Sequence, residues 1–429
     1  MKKLVSVFGL ACLILNPVAA DDGSADAENV SSEERKSKFG YGTRRELGPT
    51  SVPSELVDAD KVNEHPRFRI PVVDRIHDPY YAWKADLNKK YDLRFSIDYN
   101  ILYQTFDSSP GPGTEQSGAS GVARAFGEWV LLNRDDQGSH GSLVTKFEHR
   151  HRMADIAPQD LGLQAGYAGI TGANFNDAQW LTSNLYWKQR FLERKGLLIL
   201  GQIDRGEYVD MLPIASPYTT FQNLSSVVNP VLPFTIQALG FHASYKGDAP
   251  LYVAGGMSDA NAVSGKLRTD KYNGETFKHV AVGLTETRES FFSNNAQLTF
   301  WHQDRLSDTG GPESWGIVAS AIKTSADAVW AVGGRAGWAD EPAGPAERHL
   351  GLAITHNDPS DDDVHGLSVA WDDIWNAAQD DQITSEAFWN IQLSPNMEIT
   401  PSVQYIANPA LDPTKDDLWL YSARWRVTL

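Results

Sequence analysis

Toward its end the chain alternates without a break: Trp419, Tyr421, Ala423, Trp425, Val427 and Leu429 are separated by Leu420, Ser422, Arg424, Arg426 and Thr428. A period of two marks a strand with unlike faces, because successive side chains leave a pleated backbone on opposite sides. Trp and Tyr at the rims of such a strand predict the closing strand of a transmembrane barrel. The same period opens at Tyr91, where Leu93, Phe95, Ile97, Tyr99, Ile101 and Tyr103 alternate with Asp92, Arg94, Ser96, Asp98, Asn100 and Leu102, the last followed by Gln104. Alternation bounded by turn residues places strands near 91–104, 121–133, 141–152, 180–191, 196–204, 235–246, 251–258 and 278–286. The second half adds 295–305, 314–323, 327–338, 347–356, 364–372, 384–393, 396–406 and 417–429. The expected class is all-β, a transmembrane antiparallel β-barrel of about 16 strands over residues 91–429.

Loop lengths support that class. The connections 153–179, 205–234 and 259–277 follow odd strands, whereas Glu193–Lys195, Gly247–Asp248 and Ser394–Pro395 are tight turns after even ones. Long loops at one end and short turns at the other are the mark of an outer-membrane barrel, and no period near 40 suggests a propeller. The connection Gly206–Leu232 is too apolar for a loop in water, with Tyr208, Met211, Leu212, Ile214, Tyr218, Phe221, Val227 and Val228. It is expected to fold inward against Leu198 and Leu200 as a constriction loop, with Asp204, Arg205, Glu207, Asp210 and Asn223 as constriction candidates. Packing on a neighbouring barrel of a homo-oligomer is the alternative.

Ahead of the barrel, Lys2 and Lys3 precede an apolar run, Leu4–Leu15, and a small-residue exit, Val18-Ala19-Ala20. Residues 1–20 therefore read as a cleaved signal peptide, too short for a spanning helix. Residues 21–90 read as a polar periplasmic extension: 21–78 carry dense charge, Ser and Pro with little expected fold, and a short helix is expected over Tyr80–Asn88. Losing Lys2 and Lys3 takes the net charge from -17 to -19, which argues against a nucleic-acid partner. The lone cysteine, Cys12, leaves with the leader.

The inward face decides what such a barrel passes. It offers Asp92, Arg94 and Asp98 on the first strand; Arg124 and Glu128 on the second; Lys146, Glu148 and Arg150 on the third; Tyr186, Lys188 and Arg190 on the fourth. Later strands add Trp301, Arg335, Glu386, Glu398, Arg424 and Arg426. A ring of one sign selects ions, whereas a mixture of Arg, carboxylates and aromatic faces suits sugar hydroxyls and ring C–H groups. Charges that merely pair across neighbouring strands are an equal reading for any single residue. His149 and His151 share a face that Arg150 opposes, with no third metal ligand by spacing, and Asp361-Asp362-Asp363 reads as a solvated turn. No nucleophile elbow, phosphate loop or calcium loop is present, so neither catalysis nor a cofactor or metal is expected.

These residues resemble the carbohydrate-selective porins of the OprB type. The likeness is carried by Gly201-Gln202-Ile203-Asp204 with Tyr208 and Asp210, Phe221-Gln222-Asn223 with Asn229-Pro230, and Ser258-Asp259-Ala260-Asn261. It continues in Leu298-Thr299-Phe300-Trp301-His302, Gly334-Arg335-Ala336-Gly337-Trp338-Ala339-Asp340, Glu386 with Trp389, and Ile399–Ile406 with Asn408-Pro409. The resemblance implies a constricted 16-strand barrel for passive diffusion of mono- and small oligosaccharides, without a cofactor, in contact with outer-membrane lipid and lipopolysaccharide. It points to Asp204, Asn223, Trp301, Arg335 and Glu386 as family positions. The family's glycine-rich stretch before the first strand is replaced by Asp78-Pro79-Tyr80-Tyr81-Ala82-Trp83, and its terminal aromatic by Leu429. A general or ion-preferring porin of the same fold, and a barrel-embedded hydrolase or surface-binding barrel, remain the alternatives.

Overall fold

The computed structural model describes residues 37–429 apart from 137, 234–236, 263–264, 268–271 and 379–380. The leader expected over 1–20, and the extension as far as 36, lie outside the described residues. Sixteen strands follow one another: β1 (Leu93–Phe106), β2 (Ser117–Leu132), β3 (Gly141–Arg152), β4 (Gln179–Phe191), β5 (Gly196–Asp204), β6 (Gln237–Lys246), β7 (Leu251–Asp259) and β8 (Thr276–Leu284). The second half comprises β9 (Asn294–Gln303), β10 (Ser314–Thr324), β11 (Trp330–Ala339), β12 (Ala346–Asn357), β13 (Val364–Ile374), β14 (Gln382–Ser394), β15 (Met397–Ala407) and β16 (Asp417–Thr428). Each pairs antiparallel with the next, and β16 pairs with β1 to close the barrel. Closure reaches the last residue: Leu429 N donates to Ile97 O at 2.8 Å, and Ile97 N donates back to Leu429 O at 3.1 Å.

Burial runs inside out, as a lipid-facing barrel requires. Ser96, Asn100, Gln104 and Glu386 are fully buried, while Val280, Leu200, Leu367 and Phe300 are exposed on the outer wall. Aromatic side chains gather at both rims of that wall. Trp330, His356, His365 and Trp389 form a lateral row of ring contacts near the short turns, and Tyr405–Trp419 and His149–Trp180 pair toward the long loops.

Two expectations about faces and order are corrected. Leu197 and Ile199 point inward and Leu200 outward, the reverse of the assignment that put Leu198 and Leu200 in the lumen. Leu197–Leu200 are all apolar, so the pattern carries no information about which face is which. The second correction concerns residues 38–60, expected to have little fold, which instead pack inside the barrel. Ser51 caps helix α1 (Val52–Asp60), accepting from Ser54 N, and Pro53 lies in its first turn. Asp60 accepts from Phe39 N at 2.5 Å and Tyr41 N at 2.9 Å, folding the segment back on itself. Phe39, Leu47, Val52 and Leu56 then bury against the inner residues Phe126, Val144, Tyr186 and Ile199. Each such apolar side chain contributes roughly 1.5–3 kcal/mol.

The helix expected over 80–88 is longer, α2 (Pro71–Tyr91), and ends at Asp92 in the left-handed conformation, φ 49°, which turns the chain into β1. Between the two helices, Arg67 reaches Asp361 at 2.8 Å and Asp363 at 2.5 Å. Asp363 also accepts from Trp389 Nε1 at 2.8 Å, so the acidic run is an anchor for the N-terminal chain and not only a solvated turn.

Candidate functional site

The inward charges of β1–β4 are all engaged. Arg124 pairs with Asp98 and, at 2.5 Å, with Glu55 of α1; Lys146 lies 3.0 Å from Glu55 and 3.0 Å from Glu207. Lys188 contacts Glu128 and Glu46 at 2.6 Å each, and Arg94 contacts Glu128 at 2.5 Å. Arg190 and Arg194 reach Glu46 at 2.9 and 3.0 Å, Arg150 pairs with Glu148 at 2.5 Å, and Arg426 bridges Asp98 and Glu398. Sequence alternation found the wall residues of this lattice but not Glu46 and Glu55, which the N-terminal segment brings to the cations. Burial alone would raise the Glu46 carboxyl, but Arg190, Lys188 and Arg194 hold it well below the usual carboxylate range. Arg94, Arg124, Glu128, Lys146, Arg150 and Lys188, candidates for pore lining with pairing as the equal reading, are paired: they bind the segment and neighbouring wall charges.

The long connection after β5 does fold inward, and it crosses to the opposite wall. Arg335 donates to Ser226 O at 3.3 Å and Asp210 O at 3.2 Å; Arg424 donates to Pro217 O at 2.8 Å and Thr220 O at 3.1 Å. Glu386 accepts from the backbone N–H of Gln222 at 2.8 Å and of Asn223 at 2.9 Å. Asn223 caps helix α4 (Leu224–Val227) and donates to Gln404 at 2.9 Å. Asp204 accepts from Gln237 at 2.5 Å and from Gly206 N at 2.9 Å at the foot of the loop. Thus Asp204, Asp210, Asn223, Arg335 and Glu386 secure the loop; they do not rim an open constriction. Trp301 lies 3% exposed against Gly316 on the neighbouring strand, where a Cβ would come within 2.7 Å of its ring. It is wall packing and offers no free face.

The connection after β3 also enters the lumen, which its sequence did not announce. It carries α3 (Pro158–Gln164) and buries Tyr167, whose hydroxyl donates to Asn223 Oδ1 at 2.7 Å.

These insertions leave a cavity of about 780 Å³ on the short-turn side. The long loop lines it with Pro213, Ile214, Ser216, Thr219 and Thr220; Arg44, Arg45, Arg190, Arg194, Arg288 and Phe292 line it together with Glu46, Asp58, Asp327, Asp358, Asp362 and Asp363. Asn390, Gln392, Asn396, Glu398 and Arg426 complete the wall. Of the inward residues expected from strand alternation, Arg190, Glu398 and Arg426 face this space. The segment that supplies Arg44 and Arg45 showed no strand period, which is why alternation missed them.

A closed barrel with apolar side chains outside, polar groups inside and an infolded loop is the architecture of the outer-membrane porins. Residues 303–427 match the family model of the carbohydrate-selective porins, OprB family. Among solved structures, a high-pH structure of Pseudomonas putida OprB aligns with TM-score 0.64 and 13% identity over 82% of this chain and 97% of that one. A mutant of the Rhodopseudomonas blastica porin aligns with TM-score 0.49 and 12% identity over 79% of this chain and 100% of that one. No curated protein matches the sequence. The chain thus has the fold of the outer-membrane porins, and its C-terminal residues 303–427 are similar to the carbohydrate-selective OprB family.

Proposed function

We propose that this porin passes mono- and small oligosaccharides by diffusion, as a channel and not an enzyme, and that the cavity beneath the long loop is the sugar's vestibule on the periplasmic side. One observation carries this reading. The 780 Å³ space combines hydroxyls and amides (Thr219, Thr220, Asn390, Gln392), guanidinium and carboxylate groups, several of them ion-paired (Arg190 and Arg194 with Glu46, Arg45 with Asp58, Arg426 with Glu398), and the ring of Phe292. Planar donors and acceptors replace water around sugar hydroxyls, and an aromatic face takes the C–H side of the ring. Net binding must stay weak for flux, on the order of 4 kcal/mol, which is a millimolar Kd.

The test is single-channel conductance of the leaderless chain refolded into planar bilayers, titrated with glucose and malto-oligosaccharides. Sugar block in the millimolar range that weakens in Asn390→Ala and Phe292→Ala supports the proposal. Conductance with no sugar block would make this a general porin, and a folded barrel without conductance would remove transport.

A further inference from the structure

Helix α2 lies at the short-turn end and presents three faces, read at the 100° per residue of an α-helix. His77, Tyr81, Lys84 and Asn88 share the one that meets the protein. Asn396 contacts both His77 and Tyr81, and Asn88 donates to Gly40 O at 2.7 Å. Lys84 Nζ sits 3.7 Å from the Phe39 ring centroid and 5.1 Å from that of Phe95, with no hydrogen-bond partner among the described residues. Packing of the buried Lys84 side chain on these rings, with the two polar anchors, sets the rotation of the helix about its own axis.

The adjoining face carries Val72, Ile76, Tyr80, Trp83 and Leu87, the spacing of a single helical stripe. Val72 and Ile76 are each 65% exposed and Trp83 51%. Arg75, Asp78 and Lys89 occupy the third face, in solvent. An apolar stripe of this size needs a cover, and its continuity with the barrel's outer wall identifies one. Trp83 packs edge-on against Phe95, an outward residue of β1, with ring centroids 5.6 Å apart. Beside it, exposed Trp129 on the same outer wall donates from Nε1 to Tyr91 O, the last residue of α2, at 3.1 Å. The stripe therefore joins the aromatic belt at the short-turn rim.

We propose that α2 is an interfacial helix: it lies in the headgroup layer of the periplasmic leaflet and buries Val72, Ile76 and Trp83 at the ends of the acyl chains. An amphipathic helix with Trp on its apolar side and charge on the other binds bilayers in this way. The occupant is membrane lipid. Because the same helix holds Phe39 and Gly40 through Lys84 and Asn88, the lipid surface would also set the position of the segment folded into the lumen.

The leaderless chain has no cysteine, so Ile76→Cys and Ala82→Cys each create a single site for a nitroxide label. In vesicles of phosphatidylethanolamine and phosphatidylglycerol, oxygen is expected to collide with the Ile76→Cys label more often than a water-soluble nickel chelate does, with the order reversed at Ala82→Cys. Equal exposure to the chelate at both sites overturns the proposal. So does spin–spin broadening at Ile76→Cys that disappears on dilution with unlabelled chain, since that places a second copy on the stripe. As a second measurement, brominated phospholipid is expected to quench the emission lost in Trp83→Phe; if that component resists quenching, the helix is not in lipid.

Discussion

Two chain segments fill this barrel by different chemistry. The N-terminal segment 38–60 is held by carboxylates: Glu46 and Glu55 meet Lys146, Lys188, Arg124, Arg190 and Arg194. The long loop has an ion pair at its start, Glu207 to Lys146, but across the lumen it is held mainly by its own backbone, with carbonyls on Arg335 and Arg424 and N–H groups on Glu386. A filler clamped by ion pairs leaves uncompensated charge on the wall when it departs. One clamped through backbone groups leaves single wall charges and unsatisfied amides, spread over its length.

Deleting residues 38–60 should have the largest effect. Conductance is expected to rise several-fold, and reversal potentials should shift toward anions because Arg124, Lys146 and Lys188 lose Glu46 and Glu55; unchanged conductance would mean the segment does not occupy the lumen in a bilayer. Next comes Glu55→Gln, which strips a carboxylate from buried Arg124 and Lys146. Breaking a buried pair costs about 3–5 kcal/mol, and protease cleavage of the segment should accelerate accordingly. Glu386→Gln should cost less, about 1–3 kcal/mol, because a neutral amide oxygen still accepts from Gln222 and Asn223. Current noise should report its looser loop, and noise equal to that of Glu55→Gln would erase the distinction between the two fillers.

The smallest effect is on pH. Burial, reinforced by the charge of Lys38 and opposed by Asp60, lowers Lys84 from its ordinary 10.5 to about 7. Between about 7 and 10.5 the unfolded chain then holds a proton that the native chain lacks, so docking of α2 should strengthen as pH rises through that window. Proteolysis within α2 should slow over the same range, and Lys84→Met should flatten the slope.

Much of this architecture was legible because a barrel strand needs two unlike faces. Period-two runs such as Leu93–Tyr103 and Trp419–Leu429 placed all sixteen strands in order, and the apolar Gly206–Leu232 connection announced that it must be packed. Illegible were the faces of an all-apolar run such as Leu197–Leu200 and the partners of each inward charge. Arg124 reads the same whether it faces a sugar or Glu55, which lies 69 residues earlier in the chain.

Alternation along the chain thus settled strand order, the inversion of polarity and the compartment, because these depend on local repeats that each strand carries alone. Which side chains meet the permeating molecule was decided only when three distant segments entered one lumen. Lumen space is shared, and every insertion that covers Arg335, Glu386 or Trp301 hands the cavity wall to others. Arg44, Arg45, Phe292 and Asn390 line it because they are what the packing left uncovered.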